Sequence, residues 1–181
     1  MILPYMGVHP KIDESVFICD GAQIIGDVVL SKDVSVWFNA VVRGDVHYIR
    51  VGERTNIQDC SILHCTYQKH PLNISNDVTI GHGAILHGCT VKDHVLIGMG
   101  AKLLDGCVIG ENSFIAAGTL VKEHFQVPPG VLVAGLPGKI IRDLRPDEIE
   151  RIKTSAEHYL MYTRNYRESD KVWVTRQAGD L

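Results

Sequence analysis

The sequence predicts an all-β solenoid, a parallel β-helix of six-residue repeats followed by one C-terminal α-helix. Three observations predict it. Large apolar residues recur every six positions at Ile74, Ile80, Leu86, Val91, Ile97, Leu103, Ile109, Ile115 and Val121, with a single five-residue step between Leu86 and Val91. The residue four places on is usually small, as at Val78, Ala84, Val95, Ala101, Cys107, Ser113 and Thr119. Glycine directly follows the apolar residue in Ile80-Gly81, Ile97-Gly98 and Ile109-Gly110. Helical periodicity is missing from residues 16–127, which removes the competing all-helical reading. Each six-residue unit then makes one short strand and one turn, and three units make a roughly triangular coil. The large residue points inward, the small one fills the corner, and glycine permits the backbone of the turn.

Taken in order, residues 1–15 read as an extended lead-in, because Pro4 and Pro10 prevent a helix. Coils occupy about 16–127 of a β-helix domain spanning 1–144. The repeat frame runs early through Ile25-Gly26, Ser31, Trp37 and Arg43, then through Val51-Gly52, Ile57 and Leu63. Two insertions break it, one between Arg43 and Val51 and a longer one between Leu63 and Ile74. Insertions in solenoids emerge on one face and often border a site. Val127-Pro128-Pro129-Gly130 ends the repeats, and Ala134–Lys139 reads as a tight turn. A helix occupies 145–168, opened by Pro146-Asp147-Glu148, where proline and acids suit the first turn. Ile149, Ile152, Ala156, Tyr159, Leu160, Thr163 and Tyr166 form its apolar stripe, read as packing on the β-helix or on a neighbour. Residues 169–181 are a tail in which Val172-Trp173-Val174 is a docking candidate.

Composition narrows the function. Apolar residues are 45% and charged residues 22% of 181, and the formal net charge is −3. No clustered basic surface announces nucleic acid. No apolar run approaches a membrane span, and Met1–Tyr5 does not resemble a signal peptide. A cytoplasmic protein is expected. Five cysteines without a C-x-x-C pair argue against a disulfide framework or thiolate zinc site, and read as small buried hydrophobes.

The chemistry concentrates in three histidines. His64 follows Leu63 and His87 follows Leu86, so both take the same slot on one face of adjacent coils, about 4.8 Å apart. Two imidazoles at that spacing can share one divalent ion. His82 lies on another face in a different slot, and reaches such an ion only from a neighbouring subunit packed around a threefold axis. The pattern therefore argues for a trimer with metal sites shared between chains. Isolated histidines on a β-helix are ordinarily surface turns, the reading given to His9, His94, His124 and His158.

Residues Ser35–Asp45, Val51–Asp59, Ser61–His64 and Gly81–His87 together resemble the gamma-class carbonic anhydrases and their hexapeptide-repeat relatives. The resemblance covers about residues 10–168. It implies a left-handed β-helix and a homotrimer with zinc, or iron or cobalt instead, at each subunit interface. It implies His64 and His87 from one chain and His82 from the next as ligands. Arg43 and Asp45 match an interface ion pair, Gln58 a residue that bonds metal-bound water or bicarbonate, Asp59 a nearby acid, and Tyr159 a tyrosine reaching the pocket. Two departures stand out. Val46 replaces a glutamate, and the loop Cys65–Pro71 lacks the acidic residue that shuttles protons in the most active members. His70 is the remaining shuttle candidate, since imidazole titrates near pH 6.5.

The implied reaction is the reversible hydration of carbon dioxide to bicarbonate by a metal-bound hydroxide. Turnover is expected to be slow or buffer-dependent. An acyl-CoA thioesterase or a hexapeptide acyltransferase is the rival enzyme class, and a non-catalytic metal-binding trimer is the rival without catalysis.

Overall fold

The computed structural model describes residues 1–169; Val172-Trp173-Val174 lies outside them. Short strands stack in parallel as predicted. One face is a ladder of seven parallel strands: Phe17–Ile18, Ser35–Val36, Asn56–Ile57, Thr79–Ile80, Leu96–Ile97, Phe114–Ile115 and Val131–Gly135. The other two faces form one continuous sheet, because the long strand Val41–Val51 bends from one to the other. Registers match the six-residue frame: Ile57 pairs with Ile80, Leu63 with Leu86, and Ile74 with Val91. Each coil thus places its inward residue directly above the last, and these side chains are fully buried along the axis. Each such leucine or isoleucine contributes about 1.5–3 kcal/mol of burial.

Four readings of the sequence need correction. The frame before residue 50 is shifted by one. Ile24, Leu30, Val36 and Val42 point inward, whereas Arg43 is partly exposed. Ile24 pairs with Val42 and Val42 with Leu63, which fixes the shift. Trp37 leaves the axis and instead joins Phe17 and Cys19 in a separate cluster on the outside. Second, the glycines after inward residues do not take the left-handed turn conformation. A Cβ on Gly98 would lie 2.4 Å from the Ala117 amide of the next coil, so glycine there permits close coil stacking. Third, the lead-in is part of the solenoid: Ile2 pairs with Ile24 and Lys11 with Val29.

The solenoid also ends later than 127. Val131–Gly135 is the last rung, and it turns back antiparallel into Gly138–Asp143. Helix α1, Pro146–Glu168, follows. Its first turn is fixed by the Arg145 amide, which donates to Glu148 Oε2 at 2.9 Å. Arg142 grips the same carboxylate and, with that amide, draws its pKa down to about 2. Ile152, Ala156 and Thr163 are the buried part of the apolar stripe. Tyr159 and Tyr166 close over Trp37 with ring centroids 5.2 and 5.3 Å away. The helix therefore lies on the face carrying Asn56–Ile57 and Thr79–Ile80, and Thr79 donates to Ser155 at 3.2 Å. Among the described residues no helix is long and apolar enough to cross a membrane. All five cysteines are free. Four are buried as expected, and Cys60 is exposed.

Candidate metal centre

His64 and His87 occupy the same slot in adjacent coils. Their strands, Ile62–His64 and Ile85–His87, pair in parallel with His64 opposite His87. His64 Nδ1 lies 3.2 Å from His87 Nε2. The two outer nitrogens are each taken by an aspartate. His64 Nε2 is 3.0 Å from Asp45 Oδ1, and His87 Nδ1 is 2.6 Å from Asp105 Oδ1.

These bonds fix the chemistry of the gap. Burial pushes the Asp45 carboxyl up, but bonds from His64 and Arg43 outweigh it and hold the group below its usual value. At Asp105 burial is likewise outweighed, by Thr66 and His87. Both aspartates are ionised at neutral pH and can only accept. Each imidazole must therefore donate its outer N–H, which leaves a lone pair on each inner nitrogen. Two lone pairs face each other at 3.2 Å. Burial, with the Arg43 and His87 charges, outweighs the Asp45 bond and lowers the pKa of His64, so a proton is a poor occupant of the gap. A cation that prefers neutral nitrogen donors suits it. Tetrahedral bonds of 2.0–2.1 Å separate neighbouring ligand atoms by roughly 3.4 Å, close to the spacing seen. Ligating imidazoles also ordinarily donate their second nitrogen to a carboxylate. The residues present fit a divalent metal.

One chain supplies only this pair. Among the described residues no three histidine, cysteine or acidic side chains converge on one point. His82 stands apart, at the turn after Thr79–Ile80, with its side chain about half exposed. It too is held by an aspartate: His82 Nδ1 donates to Asp59 Oδ2 at 2.7 Å, leaving Nε2 as its lone-pair nitrogen.

The other sequence candidates sit around these groups. Arg43 pairs with Asp45 at 2.5 Å within one chain. Gln58 is buried behind His82; its Oε1 accepts from the His82 amide at 3.2 Å and its Nε2 donates to Asn56 Oδ1 at 3.1 Å. One N–H of that amide group remains for another acceptor. Tyr159 is half-buried against Trp37. Burial, then the Asp59 charge, raises its pKa to about 12, so it stays a neutral phenol. Val46 packs on the core, and a cavity of about 300 Å³ opens beside it between Tyr5–Val8 and Gly44–Tyr48. The two insertions meet as expected of a site border: the Gln68 amide donates to the Val46 carbonyl, and the buried Cys65 thiol to that of Tyr48. Burial raises that thiol to about 11 and keeps it protonated.

Reading the sequence missed Asp105, Thr66 and Asn56. Thr66 donates to Asp105 Oδ2 at 2.5 Å, so the carboxylate is clamped between the loop and His87. The available signal was the frame itself. Leu86 pairs with Leu103, which carries Asp105 to the corner above His87.

Comparison with known proteins identifies the family. Residues 88–123 match the family described as bacterial transferase hexapeptide (six repeats). Gamma carbonic anhydrase 2, mitochondrial, of Arabidopsis thaliana is 43% identical over 156 residues, covering 83% of this chain and 56% of the relative. The chain thus spans little more than half of that protein. The carbonic anhydrase of Geobacillus kaustophilus is 44% identical over 167 residues, covering 92% of this chain and 91% of the relative. A solved hexapeptide transferase family protein from Anaplasma phagocytophilum superposes with a TM-score of 0.87 at 42% identity, covering 92% and 98% of the two chains. On these matches, with the repeat fold and the paired histidines beneath them, the chain belongs to the gamma-class carbonic anhydrase family of hexapeptide-repeat proteins.

Proposed function

We propose that this protein catalyses the reversible hydration of carbon dioxide to bicarbonate at a divalent metal held between subunits of a homotrimer. The observation that carries the reading is the pair of facing lone-pair nitrogens on His64 and His87, each anchored behind by an ionised aspartate. His82 of a neighbouring copy completes the set. Zinc is the first choice for three imidazoles, with iron or cobalt as alternatives. When bound, such an ion lowers the pKa of water toward ~7 and so provides a nucleophile for carbon dioxide at neutral pH.

The chain's own residues do the rest. Asp45, Asp105 and Asp59 fix the tautomer and orientation of the three imidazoles. Arg43 keeps Asp45 ionised. Gln58, held by Asn56 and the His82 amide, directs its remaining N–H toward the reacting oxygen or the bicarbonate product. Tyr159 stays neutral and able to donate. Val46 and the acid-free loop 65–71 leave the released proton to buffer, so turnover depends on buffer concentration. Five free cysteines suit a reducing compartment such as the cytoplasm.

The test is to purify the chain without a metal-binding tag and determine metal per chain. Carbon dioxide hydration is then assayed beside acyl-CoA hydrolysis. One ion per chain with hydration lost in His82→Ala is expected. Metal far below one per chain removes the three-histidine centre. Full metal with hydration untouched by His82→Ala removes the mechanism and favours a metal-binding assembly. Acyl-CoA cleavage without hydration favours the thioesterase.

A further inference from the structure

Outside that centre the fold builds a second histidine pair. His70, near the end of the 65–71 loop, lies against His124, three coil corners above His64. Their ring centroids are 5.4 Å apart with planes at 58°; for His64 and His87 the values are 5.2 Å and 56°. The pairing depends on two bare corners. A Cβ on Gly88 would lie 2.7 Å from His70 Cβ. A Cβ on Gly106 would lie 2.4 Å from His124 Nδ1 and 3.3 Å from His70 Cε1. Cε1 is the ring carbon between the two nitrogens, so the nitrogen-bearing edges of both rings converge over Gly106. The loop is also tethered. Thr66 donates to Asp105, and the Thr66 amide donates to the His70 carbonyl at 3.2 Å. His70 is partly buried and His124 exposed, so the pair is reached from solvent without unfolding.

We propose that His70 and His124 form a second, solvent-open site for a divalent transition metal of the zinc, copper or nickel kind, one per chain. Two imidazoles presented from a tethered loop and a rigid corner are the donors these ions prefer, with water completing the coordination. The site uses residues of one chain, and it stands whether or not the interfacial centre is catalytic. It revises the reading of His124 as an ordinary surface turn and gives His70 a role other than proton transfer.

The full-length, metal-free protein is titrated with Zn²⁺ by calorimetry, and bound metal is counted after equilibrium dialysis. Wild type is expected to saturate at two ions per chain, the second more weakly held. His124→Ala and His70→Ala should each remove one ion per chain, whereas His94→Ala should remove none. His64→Ala should lose the tight class and keep the weak one, and its Cu²⁺ complex should show two nitrogen ligands by electron paramagnetic resonance. Equal stoichiometry in wild type, His70→Ala and His124→Ala overturns the proposal, as does an equal loss in His94→Ala. Failure of the interfacial centre would instead appear as a missing tight class with the weak class intact.

Discussion

Asp105 accepts the His87 Nδ1–H at 2.6 Å and so decides which His87 nitrogen faces His64. Asp105→Asn keeps the shape but allows the amide group to donate, which permits the opposite tautomer. Metal affinity is expected to fall about 10–100-fold, the usual consequence of losing such a partner. Competition with a chelator measures the affinity. The ¹⁵N shifts of His87 should report the tautomer change in the metal-free protein, and unchanged shifts would remove Asp105 from this role.

Sharing of the centre between chains has its own signature. His64→Ala and His82→Ala proteins should each bind little metal at the tight class. Refolded together in equal amounts, they should recover roughly a quarter of the sites, those pairing an intact His64–His87 chain with an intact His82 neighbour. Recovery of none means that all three ligands act from one chain, and full metal binding by His82→Ala alone means that His82 is not a ligand.

Acid should destabilise the metal-free fold in two windows. The pKa values of Asp45 and Asp105 are depressed in the folded chain, so their contribution is present above the unfolded value near 4 and is lost as pH falls through the folded value. His64 is also depressed, which favours the neutral ring in the fold. Its contribution is complete above about pH 6.5 and shrinks as pH falls below it. Urea titrations between pH 8 and 3 should show both declines, and His64→Gln should flatten the upper one.

Core and corner positions should respond differently to small changes. Leu63→Ala and Leu86→Ala empty the stacked axis behind the two histidines and should cost about 2–5 kcal/mol each. Gly118→Ala meets only the left-handed backbone at φ +67, with nothing within 4 Å, and should cost about 1–2 kcal/mol. Gly98→Ala forces coils apart and should cost more than Gly118→Ala. Chemical denaturation of the four variants ranks them.

Much of this was legible because a six-residue period is self-reporting. Once Leu63 and Leu86 share a slot, so do the residues after them, and the facing histidines follow without coordinates. The early frame slipped where apolar residues come in pairs. In Ile24-Ile25 either member can point inward, and a frame begun at Ile25 lands on Trp37 and Arg43; pairing of Val42 with Leu63 decides. Trp37 attracted the frame by its size, yet its place is under α1, a contact from a helix more than a hundred residues later. Asp105 escaped notice because its partner lies in another coil and no residue beside it marks a site. The proposed third ligand, His82 of a neighbour, depends on an assembly that one chain's pairing pattern implies only through what it leaves incomplete.

The step from His64 to Leu72 has a consequence for how such a centre can diversify. The strand Leu72–Ile74 is locked on both sides, to Ile49–Val51 below and Thr90–Val91 above. Chain entering that strand is brought back into phase however many residues precede it. Residues 65–71 therefore act as slack in the thread. They can lengthen, shorten or change charge while His64 and His87, 23 residues apart in sequence, remain neighbours in adjacent strands. Proton handling and outer metal binding can drift with the loop, and the donor spacing that defines the centre does not drift with them.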